Sequence, residues 1–198
     1  MNPAIPLVAV FADESCLGNG RDGANPGGAG GLIEYVSPAE KVTRLDYWIS
    51  EPGTTNNRMA LRSAIEALAR LSETRLVGFS AFYQSDSLLP GQPRYTNAVA
   101  ALDSSLAPLD LLDALQAIET GQGRERLERW GPRTLDLDII LYGGSRVDEH
   151  GLHIPHPRAH ERAFVLAPLA EVWPDARLGR HGSARELLSK VAGDGAAT

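Results

Sequence analysis

From Leu135 to Ile139 the chain alternates apolar and acidic residues: Leu135, Asp136, Leu137, Asp138, Ile139. A period of two is the signature of a β-strand with one buried face, so Leu135, Leu137 and Ile139 point into a core while Asp136 and Asp138 project together from the other side, about 7 Å apart. Two carboxylates held on a rigid strand suit a hard divalent cation such as Mg²⁺. Arg124, Arg126, Arg129 and Arg133 precede them in a loop opened by Gly121 and Gly123. Arginine clusters hold phosphate oxygens, so cation and arginines together point to Mg-nucleotide chemistry.

The flanking pattern predicts an α+β chain. Leu7–Ala12 reads as a buried strand, followed by a glycine-rich stretch from Gly18 to Gly31 expected to form turns. Leu32–Val36 and Leu45–Ile49 read as a hairpin or meander. Thr54 to Asn57 supply caps for a helix whose apolar stripe is Leu61, Ala64, Ile65, Leu68 and Leu71. Leu76–Tyr83 and Tyr95–Asp103 read as strands, the latter with Tyr95, Asn97 and Val99 on one face. Pro108 suits the first turn of a helix to about Glu119, with Leu111, Leu112, Leu115 and Ile118 buried. Ala163–Val172 reads as a short apolar helix after a loop containing Pro155 and Pro157.

Composition narrows the function classes. The 198 residues carry a formal net charge of −6, with 43% hydrophobic and 22% charged residues. That balance speaks against broad binding to nucleic acid or an anionic membrane and favours small-molecule partners. Cys16 is the sole cysteine, which excludes a disulfide framework within the chain and fits a cytoplasmic setting. A monomer is expected. Without their flanks, Asp136 and Asp138 would read as the solvated face of an edge strand, His156 as a surface histidine, and Tyr95 and Phe164 as core aromatics.

The run Arg129-Trp130-Gly131-Pro132-Arg133-Thr134-Leu135-Asp136-Leu137-Asp138, with Ile154-Pro155-His156-Pro157-Arg158, Arg162-Ala163-Phe164-Val165-Leu166 and Gln92-Pro93-x-Tyr95-x-Asn97-Ala98-Val99, closely resembles 6-hydroxymethyl-7,8-dihydropterin pyrophosphokinase of the folate pathway over about residues 61–188. The resemblance implies a ferredoxin-like sandwich of a mainly antiparallel sheet with helices. It implies transfer of pyrophosphate from ATP to the pterin, giving AMP and the pterin diphosphate. Asp136 and Asp138 would hold two Mg²⁺ ions, and Arg124 and Arg133 would stabilise the transferring group. Glu119, Arg126, Trp130, Ile139, His156 and Arg162 would bind ATP, and Leu88, Tyr95, Asn97 and Phe164 the pterin. Asp86 departs from the family, standing where a proline is common beside the pterin pocket.

The N-terminal portion departs further. Phe11-Ala12-Asp13-x-Ser15-Cys16-Leu17-Gly18-Asn19, the glycines from Gly27, and Thr54-Thr55-Asn56-Asn57-Arg58-Met59 resemble the start of ribonuclease H, with Asp13 matching its first metal carboxylate. Ala60 stands where that site needs a glutamate, so nuclease activity is not expected. The implied division is an incomplete ribonuclease-H-like β segment at 1–57 and a pyrophosphokinase domain at 58–198. The alternative from a different class is a non-catalytic nucleotide- or pterin-binding fusion protein, disabled by the altered N-terminus.

Overall fold

The computed structural model describes residues 7–14, 25–36, 42–54, 56–86, 94–121 and 135–194. Its central sheet is antiparallel. β1 (Leu7–Glu14) lies between β6 (Tyr95–Ser104) and β7 (Asp136–Tyr142), and β4 (Thr74–Phe79) and β5 (Tyr83–Ser85) pair with β6 on its other edge. Helix α1 (Asn56–Ala69) precedes β4, and α2 (Pro108–Gly121) joins β6 to β7. The path strand–helix–strand–strand–helix–strand, with spatial order β4-β6-β1-β7, places each helix-linked pair of strands around a third strand.

An inner strand needs apolar residues on both faces, and β1 has them. Val8, Val10 and Ala12 pack with Leu61, Ala64 and Leu68 of α1 and Leu111, Leu115 and Ile118 of α2. Ala9 and Phe11 face the opposite side, against Val165, Leu166 and Leu169 of α3 (Ala163–Val172) and Leu187 of α4 (Ala184–Asp194). The described residues therefore form three layers: α1 and α2, the sheet, then α3 and α4. The stripe expected on α1 is buried throughout, Leu61 and Ala64 completely; a Leu-to-Ala change at such a site costs roughly 2–5 kcal/mol.

Several expectations are corrected. β1 shares one sheet with β4, β6 and β7. The glycine-rich stretch is strand from Asn25 onward: β2 (Asn25–Val36) pairs antiparallel with β3 (Val42–Thr54) as a two-stranded sheet beside α1 and α2. Glycine weakens a strand without forbidding it, and here the partner supplies β-formers such as Tyr47, Trp48 and Ile49 opposite Gly31, Gly30 and Ala29. The strand expected at Leu76–Tyr83 is broken into β4 and β5. A hairpin, β8 (Val147–Glu149) and β9 (Leu152–Ile154), precedes the cis Ile154–Pro155 bond where a loop was expected, and α4 was not anticipated. No described helix is long and apolar enough to cross a membrane.

Candidate active site

The edge of β7 away from β1 organises the site. Leu137 and Ile139 are buried in the α1/α2 core, and Asp136 and Asp138 are half-buried on the opposite face, as the alternation predicts. Among the described residues β7 has one strand neighbour, β1, so alternate peptide groups on its other edge need partners. Two side-by-side segments supply them. Glu119, at the end of α2 and only 3% exposed, accepts a hydrogen bond through Oε1 from the Leu137 N–H at 2.7 Å. The His156 N–H donates to the Ile140 carbonyl at 3.0 Å. Glu119, Asp136, Asp138, Ile139 and His156, widely spaced in sequence, thus meet along one edge.

His156 is neutral at pH 7. Burial, then the positive charges of Arg162 and Arg158, lower its pKa to about 4, against a smaller opposing pull from Asp136 and with a further lowering from His153. Its Nδ1 accepts a hydrogen bond from the Arg158 N–H at 3.3 Å. The neutral ring therefore carries its proton on Nε2, a donor suited to a phosphate oxygen. One wall of a cleft of about 350 Å³ is formed by His156 with Arg146, His160, Arg180 and His181.

A second group lies across β1. Asn97 on β6 and Asp136 on β7 are both register partners of Asp13, two inter-strand spacings or about 10 Å apart. The Asn97 side chain is fully buried. Its Nδ2 donates to the Tyr83 carbonyl at 3.2 Å and to Ser85 Oγ at 2.9 Å, and its Oδ1 has no partner among the described residues. Such an orphaned buried acceptor costs roughly 1–3 kcal/mol, a cost that a ligand donor would remove. Tyr95 lies on the same face of β6, half-buried. Phe164, at the start of α3, has the Phe11 ring 6.1 Å away at a 48° tilt and the Arg162 guanidinium 5.8 Å from its ring centre. Arg162 thereby links this group to His156.

Asp86, the departure from the resembled family, pairs with Arg94 at 2.9 Å, an exposed contact of small energetic weight. Arg124, Arg126, Trp130, Arg133 and Leu88 lie outside the described residues. Sequence reasoning missed Phe11, Tyr83, Ser85 and Glu171. Phe11 was legible in the alternation Ala9, Phe11, Asp13. Glu171 was not, since its carboxylate reaches from α3 to the Ala81 N–H and the Tyr83 hydroxyl, a contact set by tertiary packing.

The model of the family described as 7,8-dihydro-6-hydroxymethylpterin-pyrophosphokinase matches residues 53–174. The chain belongs to this family. A 2-amino-4-hydroxy-6-hydroxymethyldihydropteridine pyrophosphokinase of Pseudomonas aeruginosa is 59% identical over 127 residues, covering 63% of this chain and 78% of that protein. Enzymes of the same name from Haemophilus influenzae, 49% identical over 133 residues (67% and 83%), and Bacillus subtilis, 41% identical over 113 residues (57% and 68%), are also similar. The family match begins at residue 53, beyond β1 and most of the β2–β3 hairpin, and nothing in the fold or the comparisons supports the ribonuclease-H resemblance.

Proposed function

We propose that this chain transfers pyrophosphate from ATP to 6-hydroxymethyl-7,8-dihydropterin, giving AMP and the pterin diphosphate, in folate synthesis. The observation that carries this reading is the family match over a segment whose β7 edge gathers Asp136, Asp138, Glu119 and His156. The pterin hydroxyl oxygen attacks the β-phosphorus of ATP, the bond from that phosphorus to the α–β bridging oxygen breaks, and AMP departs with the electron pair. The hydroxyl proton is lost to solvent.

Phosphoryl transfer asks a protein mainly to position the reactants and stabilise charge. Asp136 and Asp138 would hold Mg²⁺. The donor set fits: the two carboxylates stand on one face of β7, and Mg²⁺ typically takes one or two carboxylates and leaves its other positions to water and phosphate. The ion supplies neutralisation of the polyphosphate charge. His156, through Nε2–H, and Arg162 would hold the triphosphate, with Glu119 and Ile139 on the nucleotide side. Arg126 and Trp130 would complete that binding set. Arg124 and Arg133 would act on charge developing in the transition state. Asn97 would accept a hydrogen bond from the pterin edge, with Tyr95, Phe164 and Leu88 enclosing the bicycle.

The strand order supports a ferredoxin-like sandwich. We draw its unit as residues 7–14 with 56–194, leaving 25–54 as a hairpin inserted after the first strand. Pairing of β1 along both edges favours this reading over a non-catalytic fusion disabled by an altered N-terminus. The test is the product: the purified chain with Mg²⁺ should convert ATP to AMP only when the pterin is present. Asp138→Ala should lower turnover about a thousandfold or more, because several kcal/mol of charge stabilisation is at stake. Formation of ADP, or near-normal turnover in Asp138→Ala, would refute the assignment.

A further inference from the structure

We propose that Ser85 is a positioning residue of the pterin site. Together with the Tyr83 carbonyl it locks the Asn97 amide in one orientation, so that Asn97 offers the ligand an acceptor and no donor. This inference rests on the assignment of Asn97 to pterin binding.

The orientation follows from chemistry. A backbone carbonyl can only accept, so the group that meets the Tyr83 oxygen at 3.2 Å must be the Asn97 NH₂. The second hydrogen of that NH₂ is taken by Ser85 Oγ at 2.9 Å. Both donors are consumed, and Oδ1 is left buried and, among the described residues, unpartnered. If the serine hydroxyl were absent, one hydrogen would be orphaned and the amide would be tied to β5 at a single point, about which it can swing.

β5 is itself braced. Its register on β6 sets Tyr83 opposite Asn97 and Ser85 opposite Tyr95. Gln84 Nε2 donates to Thr96 Oγ1 at 2.8 Å. From α3, the Glu171 carboxylate accepts from the Ala81 N–H at 3.1 Å and from the Tyr83 hydroxyl at 2.9 Å, and this contact raises the Tyr83 pKa. The three-residue strand thus presents a fixed pair of acceptors to one amide. A site built this way selects a ligand edge that donates, such as the 2-amino group in the name of the related enzymes. It rejects an analogue with a carbonyl at that position, because two acceptors would then face each other without a proton.

The experiment uses the full chain with ATP, Mg²⁺ and the pterin, comparing wild type with Ser85→Ala, Ser85→Thr and Asn97→Ala. Ser85→Ala should raise the pterin KM about five- to tenfold, the size of one neutral hydrogen bond, with kcat and the ATP KM within twofold. Ser85→Thr, which restores the hydroxyl, should return the pterin KM to within twofold of wild type. Competition by the 2-oxo analogue should strengthen relative to the pterin in Ser85→Ala alone. An unchanged pterin KM in Ser85→Ala, beside a raised one in Asn97→Ala, would overturn the role of Ser85 and spare the pterin site. An unchanged pterin KM in Asn97→Ala would overturn both. Parallel losses in kcat and in both KM values for Ser85→Ala, with no recovery in Ser85→Thr, would mark a merely structural residue and overturn the proposal.

Discussion

Replacing Glu119 separates two ways in which a buried carboxylate can serve this site. Its Oε1 holds the Leu137 N–H at 2.7 Å, and Leu137 is the residue between Asp136 and Asp138. Glu119→Ala removes a hydrogen bond with a charged acceptor, worth roughly 1.5–3 kcal/mol, and leaves a peptide N–H without that partner. Taking about 3 kcal/mol together, and about 2–4 °C per kcal/mol for a chain of this size, the melting temperature should fall by roughly 6–12 °C. Freeing the β7 edge also displaces the carboxylates on either side. A misplacement of about 1 Å can cost on the order of a hundredfold in rate, so kcat should fall by about that factor. Glu119→Gln keeps an oxygen acceptor and loses the charge. It should recover about half of the lost stability, and its kcat should lie within about tenfold of wild type. Thermal unfolding and steady-state kinetics on the three proteins measure both effects. Equal loss of kcat in the Gln and Ala variants with unchanged melting temperatures would refute this reasoning and make Glu119 a purely electrostatic partner of the nucleotide.

Two further outcomes are expected. The folded-state pKa of His156, about 4, lies below the 6.5 of the free side chain, so the unfolded chain takes up the proton first. Stability from this residue is full above pH 6.5 and is lost as the pH falls toward 4, by no more than about 3 kcal/mol and by less once solvent screening is counted. Urea midpoints of wild type should therefore drop more steeply between pH 6.5 and 4 than those of His156→Asn, and identical slopes would contradict the assignment. The chain should leave the RNA strand of an RNA–DNA hybrid intact with Mg²⁺ or Mn²⁺, and so should Ala60→Glu; cleavage abolished by Asp13→Asn would make it bifunctional.

The α1, β6, α2, β7 and α3 elements were legible because each carries its own period: apolar residues at helical spacing in α1 and α2, alternation in β7. The Asp136/Asp138 pair was legible for the same reason. What the sequence did not show depends on contacts between distant segments. No local pattern says that Glu119 caps the β7 edge, or that Glu171 braces β5. The strand Leu7–Ala12 was legible as a buried run, and its two apolar faces fit an inner strand, although its flanking motif resembled another family. The β8–β9 hairpin escaped because its strands have three residues each, too few for a period to emerge. α4 did have a signal, Leu187, Leu188 and Val191 at helical spacing, which went unread.

The place of β1 sets an order on folding. β2 and β3 pair across the five intervening residues, at an entropic cost of roughly 1 kcal/mol, while β1 must wait for β7, more than a hundred residues later, at roughly 4 kcal/mol. On a ribosome β1 thus emerges long before the strand that completes its pairing. Until β7 arrives, one edge of β1 stays open to pairing with another chain. A chain started after residue 57 fares differently, because β7 then lacks β1 beside it and the carboxylates it carries lose the frame that aligns them with Asn97.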